Sequence, residues 1–137
     1  MEIRKELQVP APFFFDKLAD SALYDIQRQT GKKIGRQQLR DFEYVKQFNK
    51  NSRARIKIDK FVENSIYGFT TSTVRNDFYV EYHVEALDEK KCHVTYVESM
   101  KSHGFIQTLN DKTVGILWSF LRKRRFNAML SQIEQTY

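Results

Sequence analysis

The stretch that decides the fold is Asp77–Ala86, which reads DFYVEYHVEA. Apolar and aromatic side chains occupy its even-numbered positions, and the odd-numbered positions other than Tyr79 are polar or charged. Successive side chains of a β-strand point to opposite faces of the sheet, so this alternation predicts a strand with one buried face. The predicted buried set is Phe78, Val80, Tyr82, Val84 and Ala86.

A hairpin is expected to join this strand to the preceding one through a two-residue turn at Asn76-Asp77. That turn would pair Tyr82 with Thr71 and Val84 with Phe69, and it gives both strands a common inner face. The preceding strand then places four residues on that face: Tyr67, Phe69, Thr71 and Thr73.

The next strand is predicted to follow a turn at Asp88 to Lys90, which places Glu98 opposite Val80. The residues that share its inward parity are Cys92, Val94, Tyr96, Glu98 and Met100. Earlier in the chain, the segment RARIKID alternates in the same way and turns Ala54, Ile56 and Ile58 inward. The register of residues 42–48 stays open, because Tyr44 and Phe48 compete with Val45 for the inner side. Together these patterns predict an antiparallel meander of four or five strands.

The N-terminal segment combines a strand with a helix. Alternating Ile3, Leu7 and Val9 predict a half-buried strand that stops at Val9. Pro12 suits the first turn of a helix, and Gly31 suits its C-terminal stop. The predicted buried stripe of this helix is Phe14, Phe15, Leu18, Ala22 and Ile26.

A second helix, of up to about 30 residues, is predicted to end the chain, because apolar side chains recur there at helical spacing. Its first stripe is expected in the core and contains Leu109, Thr113, Ile116, Leu117, Phe120 and Leu121. A second stripe lies on another side of the helix and contains Phe126, Met129, Leu130, Ile133 and Tyr137. The helix is therefore expected to kink or to meet a second surface near Arg122 to Arg125. We interpret these four cations as a solvated collar that suits the helix dipole, and a membrane-surface helix is the alternative.

Composition indicates one globular domain, assigned to residues 1–137, since 41% of the residues are hydrophobic and 14% are aromatic. The single cysteine, Cys92, excludes an internal disulfide framework. The N-terminus MEIRKELQV carries charges where a secretory signal has its apolar core, which predicts a cytoplasmic protein. The apolar run from Val114 to Leu121 is far shorter than the roughly 20 residues of a spanning helix.

The order of strand, helix, antiparallel meander and long C-terminal helix predicts an α+β helix-grip fold, in which a curved sheet wraps around the final helix. Four segments carry a family resemblance: MEIRKELQVPAPFFFDKLADSALYDI, TSTVRNDFYVEY, YVESM and GFIQTLNDKTVGILWSFLRKRRF. Over nearly its whole length, the sequence resembles a small bacterial family known only as a domain of unknown function. That family lies within the START-like superfamily of lipid-transfer, polyketide-cyclase-like and birch-pollen-allergen-like proteins. The resemblance implies binding of apolar ligands in a cavity, and it implies no catalytic residue.

The predicted inner face mixes aromatic walls with a few polar groups, a composition typical of ligand pockets. The alternative is a filled core in which each tyrosine directs its hydroxyl to the backbone or to the rim. We predict a binding protein for a small hydrophobic or amphipathic molecule, with lipid as one candidate class. The predicted cavity lining is Tyr67, Phe69, Thr71, Thr73, Phe78, Tyr82, Tyr96, Glu98, Met100, Leu117 and Phe120.

Glu98 needs a partner, because a buried, charged and unpaired carboxylate costs several kcal/mol. The candidate partners are Tyr82, Tyr96, Thr73, Arg75 and Lys46. Two interpretations stay open. In one, Glu98 orients a ligand or acts as an acid or base; in the other, it is solvated or salt-bridged near the open end of the sheet.

Other chemistries find little support in the sequence. His83 and His93 have outward parity, with Glu85 opposite His93, and His103 lies in the following loop, so we predict no metal site, no cofactor and no catalytic centre. The net charge of +6, the cations Arg122 to Arg125 of the C-terminal helix and the outward cations of the strand at 53–57 raise binding of nucleic acid or of an anionic membrane surface through the basic C-terminal helix as an alternative. Most aromatics share the buried parity, which disfavours nucleic-acid binding. Peripheral membrane contact and the oligomeric state stay open.

Overall fold

A computed structural model describes residues 2–102 and 123–137 of the chain. In this part of the protein, six strands form one antiparallel sheet, and two α-helices accompany it. The strands are β1 (Glu2–Leu7), β2 (Glu43–Asn49), β3 (Ser52–Val62), β4 (Ile66–Ser72), β5 (Asn76–Ala86) and β6 (Cys92–Ser102). Helix α1 (Ala11–Thr30) and a 3-10 turn (Arg36–Gln38) connect β1 to β2, and the described part of a second helix, α2, covers residues 123–136. The strand order is β1-β6-β5-β4-β3-β2, so the meander continues from β2 to β6 and β1 joins its last strand.

Helix α1 confirms the N-terminal prediction. Pro12 lies in its first turn, and Gly31 ends it in the left-handed region at φ 73°, with its N–H donating to the carbonyl of Gln27 over 2.8 Å. Glycine suits this position because it lacks the Cβ that makes positive φ costly. All members of the predicted stripe are buried: Phe14, Phe15, Leu18, Ala22 and Ile26. Strand β1 ends at Leu7 rather than at Val9, although Val9 is buried as well.

The β5–β6 register is as predicted, with Val80 opposite Glu98. The predicted β4–β5 register is wrong: Tyr82 pairs with Tyr67 instead of Thr71. The turn lies at Val74-Arg75 because the Thr73 hydroxyl accepts the N–H groups of Arg75 and Asn76, each over 3.2 Å, and so closes the chain two residues earlier. The pairing is displaced by an even number of residues, so every side chain stays on the face of the sheet that was predicted for it.

The open register of residues 42–48 resolves with Tyr44 inward. Tyr44 is buried, whereas Val45 and Phe48 are 51% and 53% exposed. Helix α1 supplies the reason, since Asp25 accepts the Tyr44 hydroxyl over 2.5 Å and pairs with the Lys46 ammonium over 3.1 Å. The Asp25 carboxylate of α1 therefore determines which side chains of edge strand β2 face inward. The sequence of residues 42–48 alone does not reveal this contact.

Helix α2 lies against the sheet through the second predicted stripe. Phe126 and Leu130 are buried, and the Phe126 ring centroid lies 4.4 Å from that of Tyr96. At the end of α2, Glu134 accepts the N–H of Gln8 over 3.0 Å. The second stripe therefore contacts the sheet and the segment that follows β1; the first stripe, and with it the choice between a kink and a second surface, lies outside the described residues.

Cations at the start of α2 are exposed, as predicted for a solvated collar: Lys123, Arg124 and Arg125. Arg122, His103 and the whole first stripe, from Leu109 to Leu121, lie outside the described residues. Within the described residues, no helix combines the length and the apolarity that a membrane span requires.

Truncation of Phe126 should test the packing of α2. We expect Phe126→Ala to lower the free energy of unfolding by about 3–5 kcal/mol, because it removes a buried ring and leaves a cavity. Phe48→Ala, the same substitution at a half-exposed site, should cost less than about 1 kcal/mol. Urea unfolding followed by circular dichroism measures both, and equal losses would show that α2 does not pack as described.

Candidate ligand-binding site

The inner face of the sheet is buried unequally along its strands. On β6, Val94 is 0% exposed, Tyr96 is 8% exposed and Met100 is 44% exposed. The exposed end, here called the hairpin end, is formed by the β2–β3 turn, the β4–β5 turn and the last residues of β6. The opposite end, formed by the β3–β4 turn and the β5–β6 loop, is covered by α1, whose Phe15 ring lies 5.3 Å from that of Phe61.

Three tyrosines form a row across the middle of this face. Tyr67, Tyr82 and Tyr96 are direct partners on β4, β5 and β6, and we call them the tyrosine row. The ring centroids of Tyr67 and Tyr82 lie 6.1 Å apart, and those of Tyr82 and Tyr96 lie 5.1 Å apart. Phe126 of α2 and Phe14 of α1 contact the row at 6.0 and 6.4 Å from the Tyr82 ring. Both helices therefore meet the sheet at the tyrosine row.

Glu98 lies next to the tyrosine row, on the side of the hairpin end. It is 8% exposed, and its Oε2 accepts the Tyr96 hydroxyl over 2.6 Å. Tyr96 is thus a partner that the sequence proposed. Two other candidates are engaged elsewhere, since Lys46 pairs with Asp25 and Thr73 bonds within the β4–β5 turn. The burial of Glu98 argues against a solvated carboxylate.

The predicted lining residues fall into four groups. Tyr67, Tyr96 and Glu98 are buried, and a second group is half-buried toward the hairpin end or in the row. The second group is Phe69, Thr71, Thr73, Phe78 and Tyr82. Met100 is exposed at the rim, and Leu117 and Phe120 lie outside the described residues.

Sequence reasoning missed Phe61 as an inner-face residue. Its odd number gave it the outward parity of Asp59, but the β3–β4 register shifts between Ile58 and Lys60. Such a bulge changes the parity of all later residues of the strand, and Phe61 consequently packs 6.3 Å from Tyr67. The sequence placed Phe126 in the second helical stripe, but its place at the tyrosine row depends on how α2 docks.

The outer face carries a shallow groove of about 400 Å³ around Gly68. A Cβ at this position would meet the Glu81 Cγ at 3.1 Å, so glycine allows the Lys60–Glu81 ion pair, at 2.7 Å, to lie across the strand. The groove is charged and open to solvent. It differs in chemistry from the aromatic inner face and is not the candidate site for an apolar ligand.

A family model described as "Domain of unknown function (DUF3284)" matches residues 1–119. The chain belongs to this family. No curated protein matches the chain in sequence. The family resemblance proposed from the sequence is thereby confirmed, and the family description assigns no activity.

Similar solved structures show the fold of this chain. Norcoclaurine synthase from Thalictrum flavum, solved with dopamine and hydroxybenzaldehyde, is 8% identical at a TM-score of 0.59, covering 99% of this chain and 84% of that one. The Zhui aromatase/cyclase from Streptomyces sp. R1128 is 10% identical at 0.57, covering 98% and 93%. A START superfamily protein from Mycobacterium smegmatis is 8% identical at 0.54, covering 100% and 98%. At such identities the likeness shows the fold alone, and it confirms the START-like helix-grip architecture.

Burial changes the acidity of the groups around the site. It raises the pKa of Tyr67 and of Tyr82 well above the ordinary value of 10, and for Tyr67 the charges of Tyr82 and Asp25 add to the effect. The hydroxyl groups of both tyrosines therefore stay protonated at physiological pH. Burial, with a smaller effect of Glu134, raises the pKa of Cys92 to about 11. This thiol is protonated at neutral pH, as expected for the predicted core residue and not for a nucleophile.

Among the described residues, no three His, Cys, Asp or Glu side chains are grouped as metal ligands would be. His83 is exposed and lies 3.6 Å from the Glu81 carboxylate on the outer face. The outward parity predicted for His83, and the pairing of Glu85 with His93, are both confirmed.

Alkaline pH should destabilise the protein through Tyr67 and Tyr82. Their folded pKa values lie above the unfolded value of 10, so above pH 10 the unfolded chain loses protons that the folded chain retains. The free energy of unfolding should then fall by about 1.4 kcal/mol per pH unit for each tyrosine. Urea unfolding at several pH values measures the slope. Tyr67→Phe and Tyr82→Phe should each make it shallower, and unchanged slopes would contradict the assignment.

Cys92 should be inert toward thiol reagents in the folded protein. A rise of its pKa from 9 to about 11 lowers the thiolate fraction at pH 8 by about a hundredfold, and burial adds to this. We expect Ellman's reagent to react at least about a hundredfold more slowly with the native protein than with the urea-unfolded chain. Rapid reaction without urea would show that Cys92 is accessible.

Proposed function

We propose that this protein binds one small hydrophobic or amphipathic molecule between the inner face of the sheet and the C-terminal helix. The observation that carries the proposal is the environment of Glu98. A carboxylate that is 8% exposed accepts the Tyr96 hydroxyl over 2.6 Å, lies opposite Val80, and shares the inner face of β6 with Tyr96 and Met100. Ligand pockets combine apolar walls with a few polar groups in this way, and the polar groups orient the ligand.

The inner face favours a pocket over a filled core because its composition changes along the strands. Near the opposite end it contains compact apolar residues, such as Val84 and Val94, as dry cores do. Toward the hairpin end, β4 and β5 contain Phe69, Thr71 and Phe78, all half-buried, whereas Ala54 and Ile56 of the neighbouring β3 stay buried. An amphipathic molecule placed there would cover the apolar side chains and could address the Glu98–Tyr96 pair with a polar group.

Similar folds support this proposal by example. The norcoclaurine synthase structure contains dopamine and hydroxybenzaldehyde, and the other protein is named an aromatase/cyclase. Those properties belong to those proteins. For this chain we propose binding alone.

The alternative is binding of nucleic acid or of an anionic membrane through the basic start of α2. Its support is the exposure of Lys123, Arg124 and Arg125, which are available to phosphate groups. The variant Lys123→Glu/Arg124→Glu, which reverses two of these charges, tests this alternative.

Blocking the inner face should abolish ligand binding. We expect native mass spectrometry of the purified protein to show a copurified molecule, and the fluorescent probe 1-anilinonaphthalene-8-sulfonate to bind saturably. Thr71→Trp fills the inner face at a half-buried position, so it should remove the copurified mass and weaken probe binding at least about tenfold. Thr70→Trp, on the outer face of the same strand, is the matched control and should bind as the unmodified protein does.

Two results would contradict the proposal. One is the absence of both a copurified mass and saturable probe binding in the unmodified protein. The other is undiminished binding by a Thr71→Trp variant whose circular dichroism and thermal unfolding are native-like. Glu98→Gln tests the polar group separately: it should change the affinity for charged probes more than that for neutral apolar probes.

A further inference from the structure

The two ends of the sheet differ in charge. The hairpin end, taken as residues 49–53, 73–77 and 99–102, contains four cations and one carboxylate, Asp77. The opposite end, taken as residues 62–66 and 86–92, contains three carboxylates and two lysines. The cations of the hairpin end are all exposed: Lys50, Arg53, Arg75 and Lys101. Cationic groups are thus concentrated where the inner face is least covered.

Apolar side chains are exposed at both ends, but at the opposite end Val62 and Leu87, each 50% exposed, lie among more carboxylates than cations. At the hairpin end the exposed apolar side chains lie among cations. Val74 is 96% exposed at the tip of the β4–β5 turn, Phe48 is 53% exposed beside the β2–β3 turn, and Met100 is 44% exposed near the end of β6. Polar or small residues are usual at the tip of a two-residue turn such as the β4–β5 turn. The almost fully exposed Val74 contributes nothing to the packing of the fold. The combination of exposed apolar tips with flanking cations is typical of surfaces that meet a lipid–water interface.

We propose that the hairpin end docks onto the surface of a membrane that contains anionic lipid. Val74, Phe48 and Met100 enter the headgroup region, and the four cations lie at the level of the lipid phosphates. Charge complementarity identifies the partner as anionic, and the aliphatic side chains favour a bilayer over a nucleic acid. Val74 and Met100 offer no flat face on which a base could stack, whereas a bilayer accepts any apolar side chain.

Docking at this end does not depend on the proposed ligand. It needs the two turns and the end of β6, and vesicle binding can be measured without a molecule in the pocket. If both proposals hold, the docked orientation directs the less covered part of the inner face toward the bilayer, the source of an amphipathic molecule.

Cosedimentation with vesicles tests the docking surface. We expect the protein to pellet with vesicles of phosphatidylserine and phosphatidylcholine at low salt and to stay in solution with phosphatidylcholine alone. Each cation near an anionic surface changes the affinity by roughly fivefold. The Lys50→Glu/Arg75→Glu variant should therefore bind at least about tenfold more weakly.

Two matched variants carry the same change of net charge at other sites. Lys90→Glu/Lys91→Glu alters the opposite end, and Lys123→Glu/Arg124→Glu alters the start of α2. Both should bind nearly as the unmodified protein does. Val74→Ser, which changes no charge, should weaken binding severalfold and should do so at raised salt as well, because the apolar contribution is not screened.

The outcomes separate the alternatives. Selective loss in the hairpin-end variants supports the proposal. The proposal is overturned if the unmodified protein does not bind anionic vesicles at low salt, if all three charge variants lose vesicle binding equally, or if the α2 variant alone loses vesicle binding. Retention on RNA or DNA in a gel shift, without vesicle binding, would assign the cations to a nucleic acid instead.

Discussion

The tyrosine row is the contact on which the described structure depends. Tyr67, Tyr82 and Tyr96 meet across three neighbouring strands, and Phe14 of α1 and Phe126 of α2 reach the same rings. Aromatic side chains supply large apolar contact areas with preferred edge and offset geometries. The row therefore holds the middle of the sheet and both helices in one cluster, and it separates the dry opposite end from the less covered hairpin end.

That separation gives the inner face two different chemical environments. Behind the row, helix α1 covers small apolar residues, and Cys92 is buried there as an inert thiol. In front of the row, the buried Glu98 carboxylate is held by the Tyr96 hydroxyl. Desolvation of a carboxylate is unfavourable unless hydrogen bonds or ion pairs compensate it. The burial of Glu98 beside Tyr96 supports the proposed binding of a molecule that is apolar with a polar group.

The sequence patterns predicted the fold and, for most residues, which face of the sheet the side chain occupies, because strand alternation and helical stripes are local properties of the chain. It placed Glu98 opposite Val80 and identified Tyr96 among its partners. It missed the β4–β5 register, since the hydrogen bonds of the Thr73 hydroxyl outweighed the Asn-Asp turn signal. It also missed Phe61, because the bulge after Ile58 changes parity without a mark in the sequence.

The sequence by itself determined the α+β class, the order of the elements, and the inward side chains of the strands whose alternation is unbroken, such as β5 and β6, since a period of two is set by backbone geometry alone. Tertiary structure decided which inward residues become neighbours. The tyrosine row arises from the pairing of Tyr67 with Tyr82, and Tyr44 faces inward because Asp25 of α1 holds it. Contacts between residues distant in sequence depend on how turns close and helices dock, and these arrangements are selected by the packing of the whole domain.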